Sequence, residues 1–206
     1  MASYPAWFEA FEEFVKEFKT ESDRAAVILG AAKLDALLGQ IIDRYLLPTS
    51  GSADELLDGD SPLSTFSAKI NASHRLGLIG PQFAKSLHLV RKIRNSFAHE
   101  VVGVSLQSGS HADRLKSLLL PLHPLPFFAE LRRDYFGDPS PGTDFRTCLA
   151  LMCGRLESIL ERVQPLAAIP NCEFILPVWS QSHQDQASAT IEEIKGGTNG
   201  SKSPQS

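Results

Sequence analysis

The sequence predicts an all-α protein, a helical bundle with peripheral helices that ends in a disordered C-terminal tail. Three observations predict it. Apolar residues recur at steps of three and four along most of residues 4–164, strand-like alternation is nearly absent, and no fixed-period repeat is visible. From Gln181 onward the chain is mostly Ser, Gln, Gly and Lys with almost no bulky residue, a composition that cannot bury a core. The expected organisation is one helical domain over residues 1–168, an extended arm over 169–180 containing CEFILPVW, and the tail over 181–206.

The elements follow from local signals. Trp7, Phe8, Phe11, Phe14, Val15 and Phe18 form an aromatic stripe on a first helix over residues 4–20. Ser22 or Asp23 caps a long second helix reaching Leu47, which Pro48 and the following Thr-Ser-Gly-Ser end. A short helix is expected at ADELL, residues 53–57. Ser61, with Pro62 in the first turn, opens a third helix that runs to Leu76, before Gly77 and Gly80. Pro81 opens a fourth over residues 82–99, with Phe83, Leu87, Val90, Ile93 and Phe97 inward. HADRLKSLLL reads as a further helix, and the prolines of PLHPLPFF stop it as a rigid connector. Phe127, Leu131 and Tyr135 share one face of a short helix, and Phe145, Leu149, Met152, Leu156, Ile159 and Val163 mark a last long one over residues 143–164.

Composition narrows the function classes. A formal net charge of −4 and a pI near 5.9 argue against a surface built broadly for polyanions. Direct DNA contact would need a local basic patch, for which Arg91, Lys92 and Arg114 are the candidates. A helix-turn-helix reading of ASHRLGLIGPQFAKSLHLV would put Gln82, Lys85 and Ser86 on a recognition helix, but the same helix carries too many core residues to be free for a groove. Glu9, Glu12 and Glu13 occupy the start of the chain where a signal peptide would be basic and then apolar. Lys33 and Asp35 interrupt the longest apolar stretch, so no membrane span is expected and the location is read as cytoplasmic. Cys148, Cys153 and Cys172 are odd in number and lack CxxC spacing, which reads as two core thiols and one tail thiol in a reducing compartment. His74, His88, His111, His123 and His183 lack metal-ligand spacing, and no Gly-rich phosphate loop or nucleophile elbow is present, so neither metal nor cofactor is expected.

The most informative stretch is LVRKIRNSFAHE, residues 89–100. It places Arg91, Arg94, Asn95 and His99 in a helix that also builds core. At about 100° per residue, Arg91, Asn95 and His99 drift along one side while Arg94 points roughly 140° from His99. Glu21, Asp23 and Arg24, at the start of the second helix, are the expected partners in an antiparallel arrangement. Asp23 or Glu21 would pair with Arg94 or His99 in a polar staple between two helices.

These residues also carry two resemblances. ESDRAAVILGAAKLDALLGQIIDRYL, PLSTFSAKINASHRLGLI and LHLVRKIRNSFAHE, in this order and at these separations, resemble the mannitol repressor (MtlR) family over about residues 18–120. The resemblance implies an all-helical protein associated with repression of a sugar-alcohol operon, acting as a corepressor or through a protein partner. The Pro-rich segment 121–141 and the long C-terminal extension depart from that pattern. Arg94-Asn95-x-x-x-His99 also has the R-N-x-x-x-H form of the HEPN superfamily. That resemblance would make Arg94 the binder of a scissile phosphate, His99 the handler of the ribose 2′-OH or leaving-group proton, and Asn95 the residue that orients them.

The reading is a transcriptional regulator of the mannitol-repressor type rather than an enzyme. It acts by binding a protein partner or a DNA-binding complex, and the polar cluster of Asp23, Arg24, Arg91, Arg94, Asn95 and His99 shapes the bundle or its interface. The alternative is a metal-independent ribonuclease whose partner is RNA, and the aromatic first helix suggests a homo-oligomer.

Overall fold

The computed structural model describes residues 6–49, 51, 53–100, 104–169, 185–186 and 188–193. The chain divides into two units, residues 1–166 and 167–206. Among the described residues the first unit holds seven α-helices: α1 (Ala6–Phe18), α2 (Asp23–Tyr45), α3 (Phe66–Arg75), α4 (Pro81–His99), α5 (Gly109–Leu119), α6 (Pro126–Leu131) and α7 (Pro141–Arg162). The described residues contain no strand. In the second unit, residues 185–186 and 188–193 are helical and exposed. Apart from Ile169, the arm expected over 169–180 lies outside the described residues, as do Cys172 and most of the expected tail.

α2 and α7 are the central helices. α2 packs on α3, α4 and α7, while α7 also receives α1 and α5. Ser22 caps α2 as its residue type predicts, its Oγ accepting from the Ala25 amide at 3.2 Å. α7 starts at Pro141 behind a reciprocal cap in which Ser140 and Thr143 satisfy each other's backbone amides. The aromatic stripe of α1 is core: Phe11, Phe14 and Phe18 are fully buried, and Phe14 stacks on Phe18 at 4.2 Å. α2 and α7 approach closely at Gly30, where a Cβ would lie 2.6 Å from Leu149 Cδ1.

α2 is, by length and composition, long and apolar enough to cross a membrane, which corrects the expectation that this stretch is too short and too charged. Half of its most apolar window is buried by the bundle. Its two interrupting charges are both paired, Lys33 with Glu17 at 3.8 Å and Asp35 with Lys69 at 3.0 Å.

Three further expectations are corrected. Residues 53–57 form turns, because the Asp54 carboxylate accepts from the amides of Leu56 at 2.7 Å and Leu57 at 3.1 Å, a local bond that competes with the helix. α3 begins at Phe66 rather than at Pro62. The Leu63 amide bonds back to the Leu56 carbonyl at 2.8 Å, and Thr65 is the cap, accepting from Ala68 at 3.2 Å. In α6 the buried aromatic is Phe128, while Phe127 is exposed. The π-helical turn Arg132–Phe136 breaks the regular register and carries Tyr135 edge-on to Phe11 at 5.0 Å.

Candidate functional site

α4 has two unlike faces. Ala84, Leu87, Val90, Ile93 and Phe97 are buried against the bundle, which makes α4 a core helix, as its apolar content predicts. Lys85, His88, Lys92, Asn95 and His99 occupy the opposite side, within an arc of about 80° over a rise of about 21 Å. All five are exposed or half-buried. From Phe66 to His99 the chain carries Lys69, Arg75, Lys85, Arg91, Lys92 and Arg94 but no Asp or Glu, although its net charge is −4. The charged residues of the α3–α4 hairpin are therefore all basic.

Between these helices lies a groove of about 540 Å³, with Asn71 and His74 from α3 facing Lys85, His88, Arg91 and Lys92 from α4. Its remaining lining is apolar: Pro81, Ala84 and Leu89. His88 Nε2 lies 3.0 Å from Asn71 Oδ1. A carboxamide oxygen only accepts, so His88 donates from Nε2 and leaves Nδ1 as an acceptor when the ring is neutral. Burial, followed by the Arg91 and Lys92 charges, holds the His88 pKa below its ordinary value. His74 Nδ1 faces the Ile79 carbonyl at 3.3 Å and donates to it. Among the described residues the Arg91 Nε is buried without a hydrogen-bond partner.

At the C-terminal end of α4 the expected polar cluster is partly assembled. The antiparallel placement holds: Arg24 Nη1 donates to the Glu100 carbonyl at 3.0 Å, so a cation meets the negative end of the α4 dipole. The expected carboxylate pairing does not hold. Arg94 Nη1 donates to Asn95 Oδ1 at 3.0 Å, and Asp23 Oδ1 instead accepts from Arg146 Nη1 at 2.7 Å. α7 runs beside the start of α2 and supplies a buried guanidinium there, which satisfies Asp23 before any group of α4 reaches it. His99 is exposed at the helix end. Arg114 of the expected basic patch donates to Ser96 Oγ at 3.0 Å, whereas Arg91 and Lys92 line the groove. His111 is buried edge-on to Phe97 at 5.6 Å, with Nε2 3.9 Å from the Glu100 carboxylate.

Sequence reasoning missed Arg146 and Asn71 as site residues, and it placed Lys85 only in a helix-turn-helix reading and His88 only among histidines without metal-ligand spacing. A signal existed for the last two: Lys85, His88 and Lys92 repeat at steps of three and four with no acid between them. Arg146 showed only as a cation inside an apolar run. Among the described residues no group of three or more His, Cys, Asp or Glu could hold a metal ion. Cys148 and Cys153 are free, buried thiols on α7, pushed up to about 12 by burial.

No protein-family model matches the chain, and no curated protein matches its sequence. A solved structure does: a chain of the X-ray structure of the MtlR–HPr complex from Escherichia coli, 15% identical, with a TM-score of 0.50. The likeness covers 74% of this chain and 98% of that one. At this identity it shows a shared fold, an MtlR-like helical architecture.

Proposed function

We propose that the protein is a regulator of the mannitol-repressor type that acts by binding another macromolecule, a protein partner first of all, in the cytoplasm. The observation that carries the reading is α4 itself, a core helix whose other face keeps a 21 Å polar stripe from Lys85 to His99 accessible, an estimate at about 1.5 Å per residue. A helix anchored in the core on one side positions the opposite side rigidly, as a recognition surface requires. The MtlR-like fold supports this reading, because the similar chain comes from a complex of two proteins, MtlR and HPr.

The ribonuclease alternative asks Arg94 and His99 of one chain to converge on a single phosphate. Along a regular helix they point roughly 140° apart, and Arg94 is turned onto Asn95. Direct DNA binding through Arg91, Lys92 and Arg114 is weakened by the bond from Arg114 to Ser96.

The test is to crosslink the full chain in its own cells, identify the crosslinked protein, and rebuild the pair from purified components. A one-to-one complex that Asn95→Arg or His99→Glu weakens would support the reading. Metal-free RNA cleavage by the full chain under EDTA, lost in His99→Ala and leaving 2′,3′-cyclic ends, would overturn it in favour of the ribonuclease.

A further inference from the structure

We propose that the groove between α3 and α4 binds a small phosphate monoester, its phosphate among Lys85, Arg91 and Lys92 and its organic part along Asn71 and His74. The groove shares Lys85, His88 and Lys92 with the α4 stripe of the partner-binding reading, but that reading is tested at Asn95 and His99, outside the lining, so either can fail alone.

Charge and its placement come first. Three cations line the groove, and neither helix supplies a carboxylate to offset them. Lys69, the basic residue of α3 that does have a carboxylate partner, uses Asp35 and lies outside the lining. Uncompensated like charges repel one another, and a bound dianion would turn that repulsion into attraction. Donors come next. Among the described residues the Arg91 Nε is buried with no hydrogen-bond partner, in a side chain whose guanidinium matches phosphate oxygens well. Asn71 spends its carbonyl oxygen on His88 and keeps its NH₂ for another acceptor.

Size and charge distribution favour a small ligand over a nucleic acid. A volume of about 540 Å³ falls within the usual span of small-molecule clefts, and Pro81, Ala84 and Leu89 give it an apolar wall. Because the chain is net negative while this hairpin is wholly basic, the negative excess lies elsewhere on the protein. A single phosphate in the groove is screened from charges beyond about 8 Å at physiological ionic strength.

The experiment follows the histidine ring resonances of the full chain by NMR during titration with inorganic phosphate, at fixed ionic strength. Expected is a saturable shift of His88 with one-to-one stoichiometry, and a His88 titration midpoint that moves up when phosphate is bound, because a dianion favours the imidazolium. His74, Lys85, Arg91 and Lys92 are the titratable and charged neighbours in the groove. Lys92→Gln, at an exposed position, should weaken phosphate about tenfold, as loss of one charge-assisted contact would. Arg91→Gln should do the same, with Lys116→Gln on α5 as an unaffected control. Three results would overturn the proposal: a non-saturable shift, equal affinity in Lys92→Gln, or tighter binding of a single-stranded RNA oligomer with a salt dependence worth several phosphates.

Discussion

Arg146 on α7 and Asp23 at the start of α2 form an ion pair with Nη1 to Oδ1 at 2.7 Å, and the same guanidinium fastens the end of α1. Its Nε donates to the Phe18 carbonyl at 3.1 Å and its Nη2 to the Glu21 carbonyl at 2.5 Å. One side chain thus satisfies a terminal carbonyl of α1, a carbonyl of the connecting loop and a first-turn carboxylate of α2. The Arg146 side chain is 8% exposed and that of Asp23 is 45% exposed, so the two ends of the pair differ in what they contribute.

Removing the buried end should therefore cost more than removing the wet end. Arg146→Ala orphans two carbonyls and a carboxylate, and should destabilise the bundle by about 3 kcal/mol. Asp23→Asn keeps the geometry and loses only a half-exposed charge, worth about 1 kcal/mol or less. For a unit of this size that translates into roughly 6–12 °C against 2–4 °C in melting temperature. Equal shifts in the two variants would contradict the assignment. Arg146→Lys should not rescue, because one ammonium cannot present the planar fork to acceptors on three separate segments.

Two glycines of α2 separate packing from propensity. At Gly30 a Cβ would meet Leu149 Cδ1 at 2.6 Å, and Leu149 is fully buried, so its side chain must shift within the core. At Gly39 the nearest atom to such a Cβ is Lys69 Cε at 3.6 Å, an ordinary contact. Gly30→Ala should thus destabilise by about 1–3 kcal/mol through overpacking. Gly39→Ala should be neutral or gain up to about 1 kcal/mol from helix propensity. Chemical denaturation of both variants checks this, and a loss of stability is expected for Gly30→Ala alone.

Glu157 on α7 gives a pH-dependent prediction. Burial raises its pKa, Lys33 partly counters this, and the nearby Glu13 and Glu161 raise it further. A carboxyl whose folded pKa lies above its unfolded value holds its proton longer in the folded state, so its ionisation removes stability as pH rises through that window. Glu157→Gln should accordingly raise the melting temperature at pH 7. The gain should shrink as pH falls and vanish below the ordinary value of 4.5, where both states are protonated. A gain that persists at pH 3 would mean that packing, rather than charge, is responsible.

How much of this was legible in the sequence depends on the range of the interaction. The helices were readable where a local signal and the apolar period agree, as at Ser22, where a cap precedes a long amphipathic run. They were misread where a side chain offers the backbone a competing local bond. Asp54 turns residues 53–57 out of a helix by accepting from Leu56 and Leu57, and Ser61-Pro62 opens a turn where Thr65 is the true cap. The antiparallel meeting of the α2 start with the α4 end was legible and is realised by Arg24 and Glu100. The partner of Asp23 was not, because Arg146 lies 123 residues away and only the packing of α7 brings it there. The α3–α4 groove went unread for another reason: each of its polar residues is ordinary alone, and only the pairing of two helices makes them a lining.

The thiols of α7 yield a prediction about reactivity. Cys148 and Cys153 are 1% and 0% exposed, and burial pushes both up to about 12. At pH 8 roughly one thiol in ten thousand would then be ionised, and the thiolate is the reactive form. Cys148 also borders an apolar cavity of about 330 Å³ with Phe83, Leu118 and Met152, so a small uncharged maleimide finds space beside it while a charged disulfide reagent does not. Peptide mass mapping should find Cys153 unlabelled by either reagent in the folded protein. Cys148 should be labelled only slowly, and faster by the maleimide. Both should react fully once the bundle is unfolded. Rapid labelling of both by the charged reagent under native conditions would show that α7 opens locally well below the global unfolding free energy, contrary to its central place between α1 and α2.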